Sequence, residues 1–182
     1  MKIKFLFGII FVLIALQPTV AQMGENFPLL TAETLSNKSL TIPTDTKGKL
    51  TLIGLAYSQK AEKTLQTWLN PIYNEFIEKP ENPSLFDFSY DIHVYFIPMF
   101  VGANQAFAEP AKKKMVAQLD KELVPHVLIY KGELASYASS LHMDKEDIPY
   151  IFVLDEKGKI IYFTSGQFSA NKLEKLIEKL DW

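Results

Sequence analysis

Few residues in this chain have the types and spacing that chemistry needs. There is no cysteine, which excludes thiol exchange, Cys-dependent peroxide reduction, thiolate metal sites and lipidation through an N-terminal Cys. Ser58, His93 and Asp155 supply the residue types of a nucleophilic triad. No Gly-x-Ser-x-Gly elbow surrounds Ser58, however, and a serine just ahead of an apolar stripe reads more simply as a helix cap. A zinc site needs three or four convergent ligands, and His93, His126 and His142 have neither helical i, i+4 spacing nor a clustered motif. The acid pairs Glu146–Asp147 and Asp155–Glu156 lie beside turn residues and read as solvated, and no glycine-rich phosphate loop occurs. The sequence therefore implies no cofactor and no metal. The enzymatic alternative it leaves open is acid–base chemistry by His93 or Glu62.

Composition narrows the partners. The 182 residues are 48% hydrophobic, 13% aromatic and 22% charged, as in an ordinary globular protein with a sizeable core. All 19 basic residues are lysine, set against 21 acids. With no arginine fork for bidentate phosphate contacts, nucleic acid is not an expected partner. At the N-terminus, Lys2 and Lys4 precede an apolar run from Phe5 to Leu16, and small residues follow up to Ala21. This is the layout of a signal peptide cleaved after Ala21; the run falls short of the roughly 20 apolar residues that span a membrane. The expectation is an exported chain, periplasmic or secreted, with no integral membrane span after cleavage.

The elements that must position any site follow from periodicity. We expect a cleaved signal at 1–21, a lead-in hairpin at 22–48 and one domain at 49–182. Leu29, Leu35, Leu40 and Ile42 would build the hairpin. Residues 49–57 are apolar almost without a break, as in a strand covered on both faces. After Ser58, the positions Ala61, Leu65, Trp68, Leu69, Ile72, Tyr73 and Phe76 make the stripe of a helix, with Pro71 predicted to kink it. Residues 79–91 read as a loop and 92–100 as a second strand, parallel to the first. Ala111, Met115, Leu119 and Leu123 predict a helix starting at or just before Pro110, with Lys112, Lys113 and Lys114 on a solvated face. A short strand ending at Gly132 and a small helix over 134–141 come next. The strand 150–155, a turn through Gly158 and the return strand 159–164 form an antiparallel hairpin. Ser169 caps a last helix with Leu173, Leu176, Ile177 and Leu180 inward, and Lys172 among its wet residues. The result is three layers: helix, sheet, helix.

This order of elements, with the Ile148–Pro149 step, the apolar run 150–154, Asp155 and Gly158, resembles the thioredoxin-like superfamily. The resemblance implies a three-layer α/β/α sandwich with a central mixed sheet, a C-terminal antiparallel hairpin and a terminal helix. Redox-active relatives carry Cys-x-x-Cys at the start of the kinked helix. Here Gln59 and Glu62 stand, within one residue, in the places of those cysteines, so the resemblance extends to the scaffold and not to the redox chemistry. A narrower likeness rests on Trp68-Leu69-Asn70-Pro71, Tyr95 to Met99, Pro125-His126 and Val153-Leu154-Asp155. These segments are similar to cysteine-poor thioredoxin-like chaperones that assist assembly of the mitochondrial ATP synthase membrane sector. A cleaved export signal departs from that setting.

The resemblance implies a cis bond at Pro149 and, beside it, an exposed backbone edge that pairs with an extended polypeptide. The expected binding groove is therefore Tyr57, Ser58, Gln59 and Glu62 facing Ile148, Pro149 and Tyr150, with Phe100 nearby and Trp68 in the core. The function expected is redox-inactive binding of a protein client, as an assembly factor or chaperone. The alternatives are the cysteine-independent enzyme named above and a purely structural module.

Overall fold

A computed structural model of the chain describes residues 23–78 and 90–180. The expected signal peptide and most of the loop 79–91 lie outside the described residues. In chain order the elements are β1 (Leu30–Thr34), β2 (Ser39–Ile42), β3 (Leu50–Ala56), α1 (Gln59–Ile72), β4 (Ile92–Val101), α2 (Ala108–Gln118), β5 (Leu128–Gly132), α3 (Ala135–Ser140), β6 (Tyr150–Leu154), β7 (Ile160–Ser165) and α4 (Ala170–Ile177). The strands form one mixed sheet in the order β2-β1-β5-β4-β3-β6-β7. The apolar run at 50–56 is an internal strand, as its lack of a polar face requires. It pairs in parallel with β4 and antiparallel with β6.

Alternation along the strands divides the core in two. Ile53, Leu55, Ile97, Met99, Phe152 and Leu154 point to one face, where α3 and Phe27 pack. Leu52, Val94, Phe96, Ile151 and Val153 point to the other, covered by α1, α2 and α4. Gly54 sets the approach of α1: a Cβ there would lie 2.8 Å from Leu65 Cδ1, so only hydrogen lets the helix sit this close to β3. Trp68 is fully buried and donates from Nε1 to the Gly166 carbonyl at 2.9 Å.

Several elements depart from the sequence reading. The lead-in hairpin is part of the main sheet, which β1 joins through antiparallel pairing with β5, while Leu29, expected inside, is exposed. Regular α-helix ends at Ile72, one residue past Pro71, and a π turn, Tyr73–Ile77, follows. Pro71 contributes no amide hydrogen to the helical ladder, which favours such a change of register. After a 3-10 segment, Gly102–Phe107, α2 starts at Ala108, just before Pro110 as expected, but stops before Leu119. Leu123 is buried in the following turn rather than on the helix. Ser169 occupies the N-cap position of α4 without a side-chain cap bond.

Two lysines expected in water are held by the fold. Lys112 is buried, and its Nζ donates to Glu33 Oε2 at 2.9 Å and Asn37 Oδ1 at 2.6 Å. The contact is possible because Asn37 turns the β1–β2 loop through a left-handed φ of 64°, a conformation asparagine tolerates. This contact ties α2 to the hairpin. Lys172 is half-buried and donates to the carbonyls of Ser165 and Gln167. Desolvation holds its pKa below the ordinary lysine value.

Candidate functional site

The turn after β3 is built as the sequence predicts. Ser58 is the N-cap of α1, its Oγ accepting from the Ala61 amide at 3.1 Å. A helix begun there leaves Gln59 exposed in the first turn and Glu62 half-buried one turn on, at the positions matched to the two cysteines. The loop after α3 then folds over the same end of the helix. Asp147 bridges to Lys60 Nζ at 3.0 Å and accepts from Ser58 Oγ at 3.4 Å, placing a carboxylate at the positive helix terminus. Tyr57 donates to the Met143 carbonyl at 2.8 Å and stacks on Tyr150, with ring centroids 6.4 Å apart. Burial pushes the Tyr57 hydroxyl well above the ordinary tyrosine value, and raises that of Tyr150.

This arrangement corrects one feature of the groove read from the sequence. The Ile148–Pro149 bond is trans; among the described residues the cis bond is Ile42–Pro43. Pro149 and Tyr150 are buried, and the Pro149 carbonyl accepts from the Gly166 amide at 2.8 Å. The strand that starts at Tyr150 is flanked by β3 and β7, so from Tyr150 onward both sides of it are already paired. The seven expected residues therefore divide. Tyr57, Pro149 and Tyr150 are interior, with Ile148 packed against their cluster, and Ser58 is engaged by its cap and by Asp147. Gln59 and Glu62 open elsewhere.

They open into a cleft of about 650 Å³ between α1 and α2. One wall is Gln59, Glu62, Leu65, Gln66 and Leu69 of α1; the other is Pro110, Ala111, Lys114, Met115 and Gln118 of α2. Phe96, Pro98, Phe100 and Val127 floor it, and Phe107, 62% exposed, stands at its mouth. Among the described residues, no hydrogen-bond donor or cation lies within bonding distance of the Glu62 carboxylate. Burial in the cleft raises its pKa above the ordinary carboxylate range, and the more distant charge of Lys114 partly opposes that rise.

Apart from Gln59, Glu62 and Phe100, the cleft was not legible as a site. Its signal was the sparse stripe Ala111, Met115 and Leu119, whose small and flexible side chains are too few to cover the face of α1. The groups considered for catalysis do not converge. His93 and Leu154 both pair with Thr51 at the start of β3, whereas Ser58 follows its far end. Asp155 instead accepts from the Lys157 and Lys159 amides in its own turn. His93 stacks on Tyr95, and burial together with Lys49 lowers its pKa. His126 Nδ1 lies 3.0 Å from the Val94 carbonyl, His142 is exposed, and no cluster of potential metal ligands occurs among the described residues.

The mixed sheet, the capped helix after its internal strand and the terminal hairpin and helix define a thioredoxin-like domain whose redox turn carries no cysteine. Solved structures agree on the fold. The C-terminal domain of a protein assigned as a thiol-disulfide oxidoreductase from Bacteroides thetaiotaomicron superposes with a TM-score of 0.55 at 19% identity, covering 88% of this chain and 96% of that one. Yeast Sco1 gives 0.51 at 14%, covering 84% and 92%. The exposed lipoprotein thioredoxin Etrx1 of Streptococcus pneumoniae gives 0.54 at 12%, covering 84% and 100%. No curated protein matches significantly. The chain belongs to the ATP10 protein family, whose model matches residues 21–181.

Proposed function

We propose that this chain is an exported, redox-inactive polypeptide-binding protein that acts as an assembly factor or chaperone. The observation that carries the reading is the open apolar cleft beside the former redox turn, with Gln59 and Glu62 on its wall. Loss of the cysteines removes turnover but leaves recognition, and membership of the ATP10 family supports a protein partner. The likeness to chaperones of ATP synthase assembly supports an assembly role. The basic start, apolar run and small residues up to Ala21 support export to a periplasmic or extracellular space. No helix among the described residues is long and apolar enough to cross a membrane.

The test is photo-crosslinking in the native host, with the reactive side chain at position 59, 62 or, as a control on the remote hairpin turn, 157. A polypeptide adduct at 59 and 62, absent at 157 and lost when Ala111→Trp fills the cleft, is the expected result. Equal adducts at all three positions, or none, contradict the reading.

A further inference from the structure

We infer that the cleft between α1 and α2 receives an amphipathic helix of the partner polypeptide, and that this helix carries a single lysine or arginine seated against Glu62. The inference rests on the cleft being the polypeptide site and adds the chemistry of the occupant.

The backbone excludes an extended occupant. The floor of the cleft is the face of internal strand β4, with Val127 just before β5, and that strand is already paired in the sheet. An added strand would find no ladder there, and its own amides and carbonyls would enter an apolar space unpaired. A helix satisfies those groups internally. The walls suit one: Leu65 and Leu69 on α1 face Ala111 and Met115 on α2, two ridges at four-residue spacing with a furrow between them. A third helix fills such a furrow with its own i, i+3, i+4 ridge. Phe107 and half-buried Met115 then gain a cover that the chain itself does not supply.

The charge on the occupant follows from Glu62. A purely apolar helix would seal this carboxylate away from water with no partner, and an acidic one would add repulsion. Lys114, on the facing wall, is the charged group whose field reaches Glu62, and it makes no ion pair with it in this structure. A basic side chain entering along the furrow meets an acceptor that nothing else occupies. The polar residues Gln59, Gln66 and Gln118 add no charge, and Lys114 stays exposed to solvent whereas Glu62 is half-buried in the furrow, so Glu62 sets the sign where the occupant is desolvated.

The experiment is selection of a randomised helical-peptide library on the full chain, followed by fluorescence anisotropy with the selected peptides and circular dichroism on each variant. Selected sequences should show apolar residues at helical spacing with one basic position. Glu62→Gln should weaken the best peptide roughly tenfold, and neutralising the peptide's cation should cost about the same. The two changes together should cost little more than either alone. Glu62→Lys should select acidic peptides instead. Peptides lost on Ala111→Trp or Gln118→Trp but indifferent to Glu62→Gln would overturn the charge assignment and leave polypeptide binding in place. Peptides that bind both filled variants as they bind the parent, or a library with no enrichment, would overturn both.

Discussion

The tie between α2 and the N-terminal hairpin gives a sharp energetic prediction, because its two ends are unequal. The Lys112 side chain is 6% exposed, while that of Glu33 is 57% exposed. Removing Glu33 leaves a buried ammonium with Asn37 as its remaining acceptor. Breaking a buried pair this way costs about 3–5 kcal/mol when nothing compensates. Asn37 and the exposure of Glu33 reduce that, so we expect about 2 kcal/mol for Glu33→Ala, a Tm fall of about 4–8 °C for a chain of this size. Lys112→Met removes the charge while keeping most of the buried stem, and Glu33 rehydrates freely, so its cost should stay within about 1 kcal/mol. The double variant should resemble Lys112→Met alone. Urea unfolding of the four proteins measures the cycle. A Lys112→Met loss equal to or larger than that of Glu33→Ala would refute the reasoning. Since α2 forms one wall of the cleft, the same series should change peptide binding only where α2 is loosened.

Two further outcomes follow from the packing around α1. Gly54→Ala should cost about 1–3 kcal/mol in urea unfolding, because its Cβ meets Leu65 Cδ1 at 2.8 Å and Phe96 and Ile151 at 3.3 Å; a neutral result would mean that α1 rides further from the sheet. Burial raises the Glu62 pKa above its unfolded value, so folding takes up a proton and stability falls as pH rises between the ordinary carboxylate value and the raised one. Glu62→Gln should therefore be more stable than the parent at pH 7, with the Tm difference vanishing below the ordinary carboxylate range.

Strong local signals were readable in the chain. The apolar run at 50–56, the Ser58 cap with its Ala61, Leu65, Trp68 stripe, and the Asp155 to Gly158 turn each specify their element and are found there. Long-range polar contacts were not readable. A lysine in a run of three looks solvated until Asn37 and Glu33, about 75 residues earlier, arrive over it. The trans Pro149 was missed for another reason: the cis bond was implied by the resemblance and not by the residues around Ile148–Pro149. The candidate site divided along the same line. Gln59 and Glu62 came from the resemblance, which set them at the places of the two cysteines, while the facing wall depends on how a weakly amphipathic helix is anchored.

The central claim is the proposal that a polypeptide binds in the furrow between α1 and α2 and not beside Pro149. Titrating the isotopically labelled full chain with a selected helical peptide, and following backbone amide shifts, tests it most directly. The account predicts the largest shifts at Glu62, Leu65, Leu69, Ala111 and Met115, with residues 148–150 and 155–158 unmoved. Shifts centred on Ile148 to Tyr150 instead would contradict it.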